Sequence, residues 1–136
     1  MNKVIDLVQE TLDDLLAKDS VRIFWGRRSE IQGEASDAEY VIYDIQYDNA
    51  EVSADGNLYY RTMGVSLQYY VKFTTARTYE GRKSALARMQ TIMQAMRSVG
   101  FGCMSGWVEI GDVDNVGYAT FRSVYEIPHE MDEDGD

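Results

Sequence analysis

The chain has 136 residues with a net charge of −10 and a single cysteine, and 45% of its residues are hydrophobic. This length suits one domain with a sizeable core, and no run of eighteen apolar residues is present, so no membrane span is expected. The acidic balance argues against nucleic-acid binding by the domain as a whole, because phosphate binding needs clustered Lys and Arg. Cys103 has no cysteine to pair with inside the chain, which fits a reducing compartment such as the cytoplasm.

The first segment predicts an amphipathic helix at about residues 3–18. Its apolar residues recur at spacings of three and four, which is the pattern of a helix with one buried face. These residues are Val4, Leu7, Val8, Leu12, Leu15 and Leu16. A short strand is predicted at residues 21–25. The polar stretch 26–38 then predicts a long exposed loop, and a loop of this length is usually functional or disordered.

Two long strands are predicted next. Residues 40–47 alternate, with one face carrying Val41, Tyr43, Ile45 and Tyr47 and the other carrying Tyr40 and Ile42. Residues 58–74 read as a second strand that bends or bulges at Gly64. Its period-two pattern predicts a core face. That face comprises Val65, Leu67, Tyr69, Val71 and Phe73.

The segment 79–97 predicts a second amphipathic helix. Its buried face is predicted to comprise Ala85, Leu86, Met89, Ile92, Met93 and Met96. Gly100 is placed for a left-handed cap just past the helix. Strands follow at 104–110 and 118–127, and Pro128 is predicted to end the last one.

This order predicts an α+β fold: an antiparallel sheet of about five strands with two helices on one face, in the order α-β-β-β-α-β-β. Residues 1–127 are predicted to form a single domain. Residues 128–136 are predicted to be an acidic, disordered tail.

The motifs tested for chemistry predict no catalytic, cofactor-binding or metal-binding residue, and no enzymatic activity. His129 is the only histidine and lies in the acidic tail, so no catalytic triad can be assembled around it. The stretch 112–117 resembles a calcium loop, but Val116 has no side-chain oxygen and Ser123 replaces the final Glu. The glycines of 100–106 follow a helix, whereas those of a dinucleotide loop follow a strand.

Charge and aromatic residues are unevenly distributed. Residues 61–97 hold seven basic residues and one acidic residue, in an otherwise acidic chain. One interpretation is a solvated basic helix face, and the other is a basic surface that meets an acidic surface of a neighbouring copy, near Glu39, Asp44 or Glu51. Tyrosines on the second sheet face could shield strand edges or lie in an interface. The predicted subunit interface comprises Tyr40, Tyr60, Arg61, Tyr70, Arg82, Lys83 and Arg88.

The order of these segments and their residue patterns resemble those of a known family. An amphipathic first helix is followed by VRIFWG, then by YVIYDI and VSLQYYVKF. The helix RKSALARMQTIMQAM and the closing strands GWVEIG and YATFRSVYEI complete the pattern over residues 3–127. This pattern resembles the tail terminator proteins of long-tailed bacteriophages, also called tail completion or head–tail joining proteins.

The resemblance implies a small α+β subunit that assembles into a ring, usually a hexamer. Such a ring ends the tail tube and joins it to the head connector, and DNA passes through its lumen without specific binding. The implied partners are further copies of the chain, the tail tube protein and the connector or neck protein, with no cofactor and no membrane. The implied location is the virion, and the host cytoplasm during assembly.

The loop 26–38 is predicted to contact a partner and to become ordered on assembly, because it has few apolar anchors to offset its ordering entropy. Its candidate contact residues are Arg27, Arg28, Glu30 and Glu34. Two alternative functions stay open. One is another phage neck or tail-tube component of similar fold, and the other is a small-ligand-binding α+β domain.

Overall fold

The structure, a computed structural model, describes residues 2–26, 38–52, 58–111 and 117–130, with side chains described for 3–26, 38–48, 62–111 and 117–128. An α+β fold is confirmed. The helices are α1 (Asn2–Leu16), α2 (Phe73–Ala76) and α3 (Tyr79–Ser98), and a 3-10 turn (Ala17–Asp19) follows α1. The strands are β1 (Arg22–Trp25), β2 (Glu39–Val52), β3 (Leu58–Lys72), β4 (Gly102–Ile110) and β5 (Tyr118–Glu130). Two helices were predicted; the short α2 occupies the predicted break after β3.

The five strands form one mixed sheet in the order β1-β2-β3-β5-β4. The pairs β2–β3, β3–β5 and β4–β5 are antiparallel, as predicted. The prediction is wrong for β1, which runs parallel to β2 with Arg22 opposite Tyr40. Parallel neighbours need a connection of about a dozen residues or more, and the segment 26–38 has that length.

The main core lies between one sheet face and the helices α1 and α3. The predicted β3 face is buried there from Val65 to Val71, and Tyr43 of β2 lies beside it. The helices contribute Val4, Val8, Leu12 and Leu16 from α1 and Ala85, Met89, Ile92 and Met96 from α3. The arrangement of two long helices on one sheet face follows from these two apolar stripes.

Two predicted core residues are in fact exposed. Phe73 is 53% exposed, because β3 ends at Lys72 and the alternation of faces ends with it. Leu86 is 55% exposed, because it lies beside the buried stripe of α3 rather than within it. The spacing of apolar residues predicts which side of α3 is buried, but it does not predict how many residues on either side of that stripe are buried with it.

A bulge in β2 turns Tyr47 onto the second face of the sheet. Ile45 lies opposite Val65 and Tyr47 lies opposite Gly64, so Gln46 is the extra residue. The Tyr47 ring lies across Gly64, where a Cβ atom would overlap the ring. The Tyr47 hydroxyl donates a hydrogen bond to the Glu126 carboxylate, and this bond raises the pKa of Tyr47. An irregularity at Gly64 was predicted, but the placement of Tyr47 beside Tyr43 was wrong.

The second face of the sheet has a small aromatic core of its own. Tyr40 and Tyr70 stack with ring centroids 4.5 Å apart, and Tyr118 meets Tyr40 edge-on at 5.1 Å. Phe24 and Ile42 complete the buried group, which we call the aromatic cluster. Rings in such offset and edge-on pairs stabilise a sheet beyond their buried area.

The last strand runs further than predicted. It continues through Pro128 to Glu130, whereas the predicted domain boundary was at residue 127. The pairing of β4 begins with Gly102 opposite Glu126, so beyond that point β5 pairs, among the described residues, with β3 alone. Proline is tolerated where one side of a strand is unpaired. Residues 131–136 of the predicted tail lie outside the described part of the chain.

Within the described ranges, no helix is long and apolar enough to cross a membrane.

The predicted cap of α3 is confirmed, since Gly100 has a φ of 104° and its N–H donates to the carbonyl of Arg97 at 3.1 Å. A left-handed residue here turns the chain sharply from α3 into β4.

The core assignment predicts unequal effects of two leucine truncations. Leu67→Ala removes a fully buried side chain and should lower the free energy of unfolding by about 2–5 kcal/mol. Leu86→Ala, at a position 55% exposed, should lower it by less than about 0.5 kcal/mol. Urea unfolding followed by circular dichroism measures both. Similar losses for the two variants would contradict the assigned faces.

Buried tyrosines predict a loss of stability in alkali. Burial raises the pKa of Tyr43 and of Tyr125 to about 12, above their value of 10.0 in the unfolded chain. Above pH 10 the unfolded chain therefore releases these protons first, so the stability present below pH 10 falls as the pH rises toward 12. In urea unfolding across this range, Tyr125→Phe should flatten the fall. Tyr79→Phe changes a side chain that is 76% exposed and should leave the fall unchanged. If stability fell with pH equally steeply in Tyr125→Phe and in the parent chain, this account would be contradicted.

Candidate functional site

A surface groove lies along the first turns of α3. We call it the α3 groove; its volume is about 420 Å³. It is lined by Arg77, Thr78, Tyr79, Arg82, Lys83 and Leu86. The last four recur at spacings of three and four, which places them on one side of the helix. The groove therefore combines two apolar side chains with three cations.

The start of α3 is fixed by its cap. The Thr78 hydroxyl accepts a hydrogen bond from the Gly81 N–H at 3.0 Å and donates one to the Thr75 carbonyl at 2.8 Å. A Cβ atom at Gly81 would overlap that same carbonyl oxygen. The absence of a side chain at Gly81 thus lets α3 pack closely against α2, and this contact orients the groove.

Exposed apolar side chains also lie on α3 and on the edge strand β4. Tyr79 and Leu86 on α3 are 76% and 55% exposed, and Met104 and Val108 on the edge strand β4 are 59% and 55% exposed. The two elements are joined by Trp107, whose indole N–H donates to the Met89 carbonyl at 2.9 Å. Val108 lies opposite Arg122 and therefore faces the second side of the sheet, whereas Tyr79 and Leu86 lie on the helical side. Contiguous exposed apolar patches mark protein-interaction surfaces, and these residues are candidates for two such surfaces.

The cations of the groove are only weakly held. Arg82 lies 3.4 Å from Glu109, and both side chains are 51% exposed. The Lys83 ammonium lies 5.3 Å from the centre of the Tyr79 ring. Exposed ion pairs contribute only about 0–1 kcal/mol, so an incoming carboxylate can compete for these groups.

Arg88, also a predicted interface residue, is bound within the chain. Its guanidinium donates to Asp19 at 2.7 Å and to Glu39 at 3.1 Å. The hydrogen bond from Arg88 lowers the pKa of Asp19. Glu39 also accepts the Tyr69 hydroxyl at 2.5 Å, and burial together with this bond raises the pKa of Tyr69. Arg88 and Glu39, which were predicted to meet across two copies, therefore bind each other in one subunit.

Two of the predicted tyrosine contacts, Tyr40 and Tyr70, lie on the opposite side of the sheet from the α3 groove. Tyr40 and Tyr70 are 0% and 1% exposed within the aromatic cluster, so their rings have almost no area left for a partner. The backbone of Tyr60 and Arg61 lies in β3, but their side chains lie outside the described part. The loop residues Arg27, Arg28, Glu30 and Glu34 also lie outside it. Of the predicted interface set, Arg82 and Lys83 are the two that line the groove.

A polar pocket of about 300 Å³ opens on the second sheet face beside the aromatic cluster. One Arg122 nitrogen donates to the Gln46 side chain at 2.5 Å, while its Nε is buried and has no partner among the described residues. Asp44, Ser66 and Gln68 share the lining. Sequence reasoning missed Arg122, although it is the only basic residue after residue 97.

The described residues contain no group of three or more His, Cys, Asp and Glu side chains that could hold a metal ion. Cys103 is partly buried against the main core, and the His129 side chain lies outside the described part. The described surface instead offers the exposed apolar area and the charges of the α3 groove and of β4.

Two comparisons with known proteins found no relative. No protein-family model matches the chain, and no curated protein matches it.

The tight first turn of α3 predicts that Gly81→Ala is destabilising. The new methyl group would overlap the Thr75 carbonyl, and such overpacking costs about 1–3 kcal/mol, more than the helix gains from alanine. Gly106→Ala is the matched control, because nothing lies within 4 Å of the added atom. Urea unfolding should show a lower midpoint for Gly81→Ala alone. A midpoint equal to that of the parent chain would contradict the close packing.

Proposed function

We propose that this chain is a structural subunit that assembles into a ring of the tail terminator type, ending the tail tube of a long-tailed phage. The ring would join the tube to the head connector, with DNA passing through its centre. The chain would have no catalytic role and no cofactor. Its partners would be further copies of itself, the tube protein and the connector.

The observation that carries this proposal is exposed apolar surface at both edges of the sheet. Met104 and Val108 lie on β4, at one edge, and Trp25 lies on β1, at the other, where it is 53% exposed. These are two different surfaces on opposite sides of one subunit. Contacts between two different surfaces of identical subunits are heterologous, and they close into rings when the rotation allows.

Charge supports a second copy as the partner. The α3 groove is basic, while the chain as a whole carries −10. Another copy of this chain therefore brings mainly negative surface to the groove, and complementary charge favours productive encounter. The same acidic balance suits a lumen through which DNA passes without being held. The ring and its place in the tail come from the resemblance over residues 3–127.

The proposal predicts a discrete oligomer that depends on the exposed apolar residues. Light scattering after size exclusion should give a single mass that is a multiple of the subunit, and negative-stain micrographs should show rings. Leu86→Asp and Val108→Asp should each shift the population to monomer, because each replaces apolar contact area with a strongly hydrated carboxylate that is costly to bury. Gln94→Asp is the matched control, since Gln94 is exposed on the same helix outside the groove.

Two outcomes bear on the function, and a third bears on the location of the contact. A strictly monomeric parent chain would contradict ring assembly. Open-ended tubes would favour a tail-tube component instead. Rings that persist in both aspartate variants would leave the assembly standing but remove the α3 groove and β4 from the contact.

A further inference from the structure

We propose that the α3 groove binds the acidic segment 131–136 of a neighbouring copy. This inference rests on the proposed ring and names the contact that would join one subunit to the next. The segment reads Met-Asp-Glu-Asp-Gly-Asp and carries four carboxylates in six residues. It follows directly on β5, which ends at Glu130.

The chemistry of the segment matches that of the groove. The groove presents Arg77, Arg82 and Lys83 around the apolar side chains of Tyr79 and Leu86. The segment begins with an apolar side chain, that of methionine, and continues with its carboxylates. A partner with both properties can cover exposed apolar area and replace weak intrachain contacts of the cations at the same time.

Acidic groups already near the groove do not occupy these cations fully. Glu109 is the carboxylate beside Arg82, at 3.4 Å and half exposed, and Glu80 belongs to the first turn of α3. Lys83 is placed over the Tyr79 ring. The described charges around the groove thus leave room for additional negative groups.

Geometry makes the contact intermolecular. Arg82 lies over the Phe121 ring, at 5.9 Å from its centre, so the groove is level with the early part of β5. From Phe121 to Glu130 the strand advances nine residues, or about 30 Å. Six residues span at most about 20 Å even when fully extended. Segment 131–136 therefore falls short of the groove of its own subunit and meets only that of another copy.

A peptide-binding experiment tests this directly. The probe is a fluorescein-labelled peptide of residues 129–136, and the receptor is the full-length chain with its own segment neutralised so that it cannot compete. Fluorescence anisotropy should show saturable binding that weakens as salt is raised, since the pairs are exposed. The receptor carries Asp132→Asn, Glu133→Gln, Asp134→Asn and Asp136→Asn.

Variants of the groove give the matched comparison. Adding Arg82→Gln and Lys83→Gln to the receptor should weaken peptide binding about tenfold, as expected for the loss of two exposed ion pairs. Adding Lys18→Gln and Arg97→Gln instead removes the same charge from residues outside the groove and should change the affinity less than twofold. Equal weakening by both pairs, or no binding of the peptide, would overturn the inference.

The oligomer measurement keeps this inference separate from the ring itself. If the neutralised full-length chain still forms rings as stable as those of the parent, the segment does not join subunits and the inference is wrong, while the proposed function stands. If the parent chain forms no rings, the proposed function fails. Both the proposed ring and the groove contact are supported if two results are found. The neutralised chain forms weaker rings than the parent, and peptide binding is weakened only by Arg82→Gln with Lys83→Gln.

Discussion

The structure depends on β3, which lies in the middle of the sheet and is buried on both of its faces. One face, from Val65 to Val71, packs beneath α1 and α3, and the other places Tyr70 in the aromatic cluster. A strand in this position loses the solvation of both its faces, so each must be covered by apolar or fully paired groups. Most of the remaining elements pack against one of these two faces or pair with β3 in the sheet.

Covering the two faces differently makes the subunit asymmetric. The helical side presents a basic groove with exposed apolar side chains, and the second face presents the Arg122 pocket beside the aromatic cluster. In the proposed ring, one of these surfaces would contact a different surface of the next copy, which is a heterologous contact. The residues proposed to contact partners are thus distinct from residues, such as Arg88 and Tyr70, whose contacts lie within the subunit.

The sequence predicted the elements well, because two periodicities dominate them: spacings of three and four in α1 and α3, and alternation in β2, β3 and β5. It failed where tertiary structure overrides local pattern. The parallel pairing of β1 depends on a connection rather than on its own four residues, and the bulge at Gln46 reverses the face of Tyr47. Of the candidate site, Arg82 and Lys83 could be proposed from charge alone. The pairing of Arg88 with Glu39 joins residues 49 positions apart, which no local pattern reports.

The contact of Tyr47 with Gly64 links the evolution of two positions. The tyrosine ring crosses the middle strand only because position 64 has no side chain, and it ends on a carboxylate of β5, Glu126. Any relative that keeps an aromatic residue at 47 in this bulge must keep glycine at 64. A relative with a small residue at 47 is released from that requirement and can fill position 64 with a β-branched residue, which the sheet prefers. These two positions should therefore vary together, in step with the glutamate.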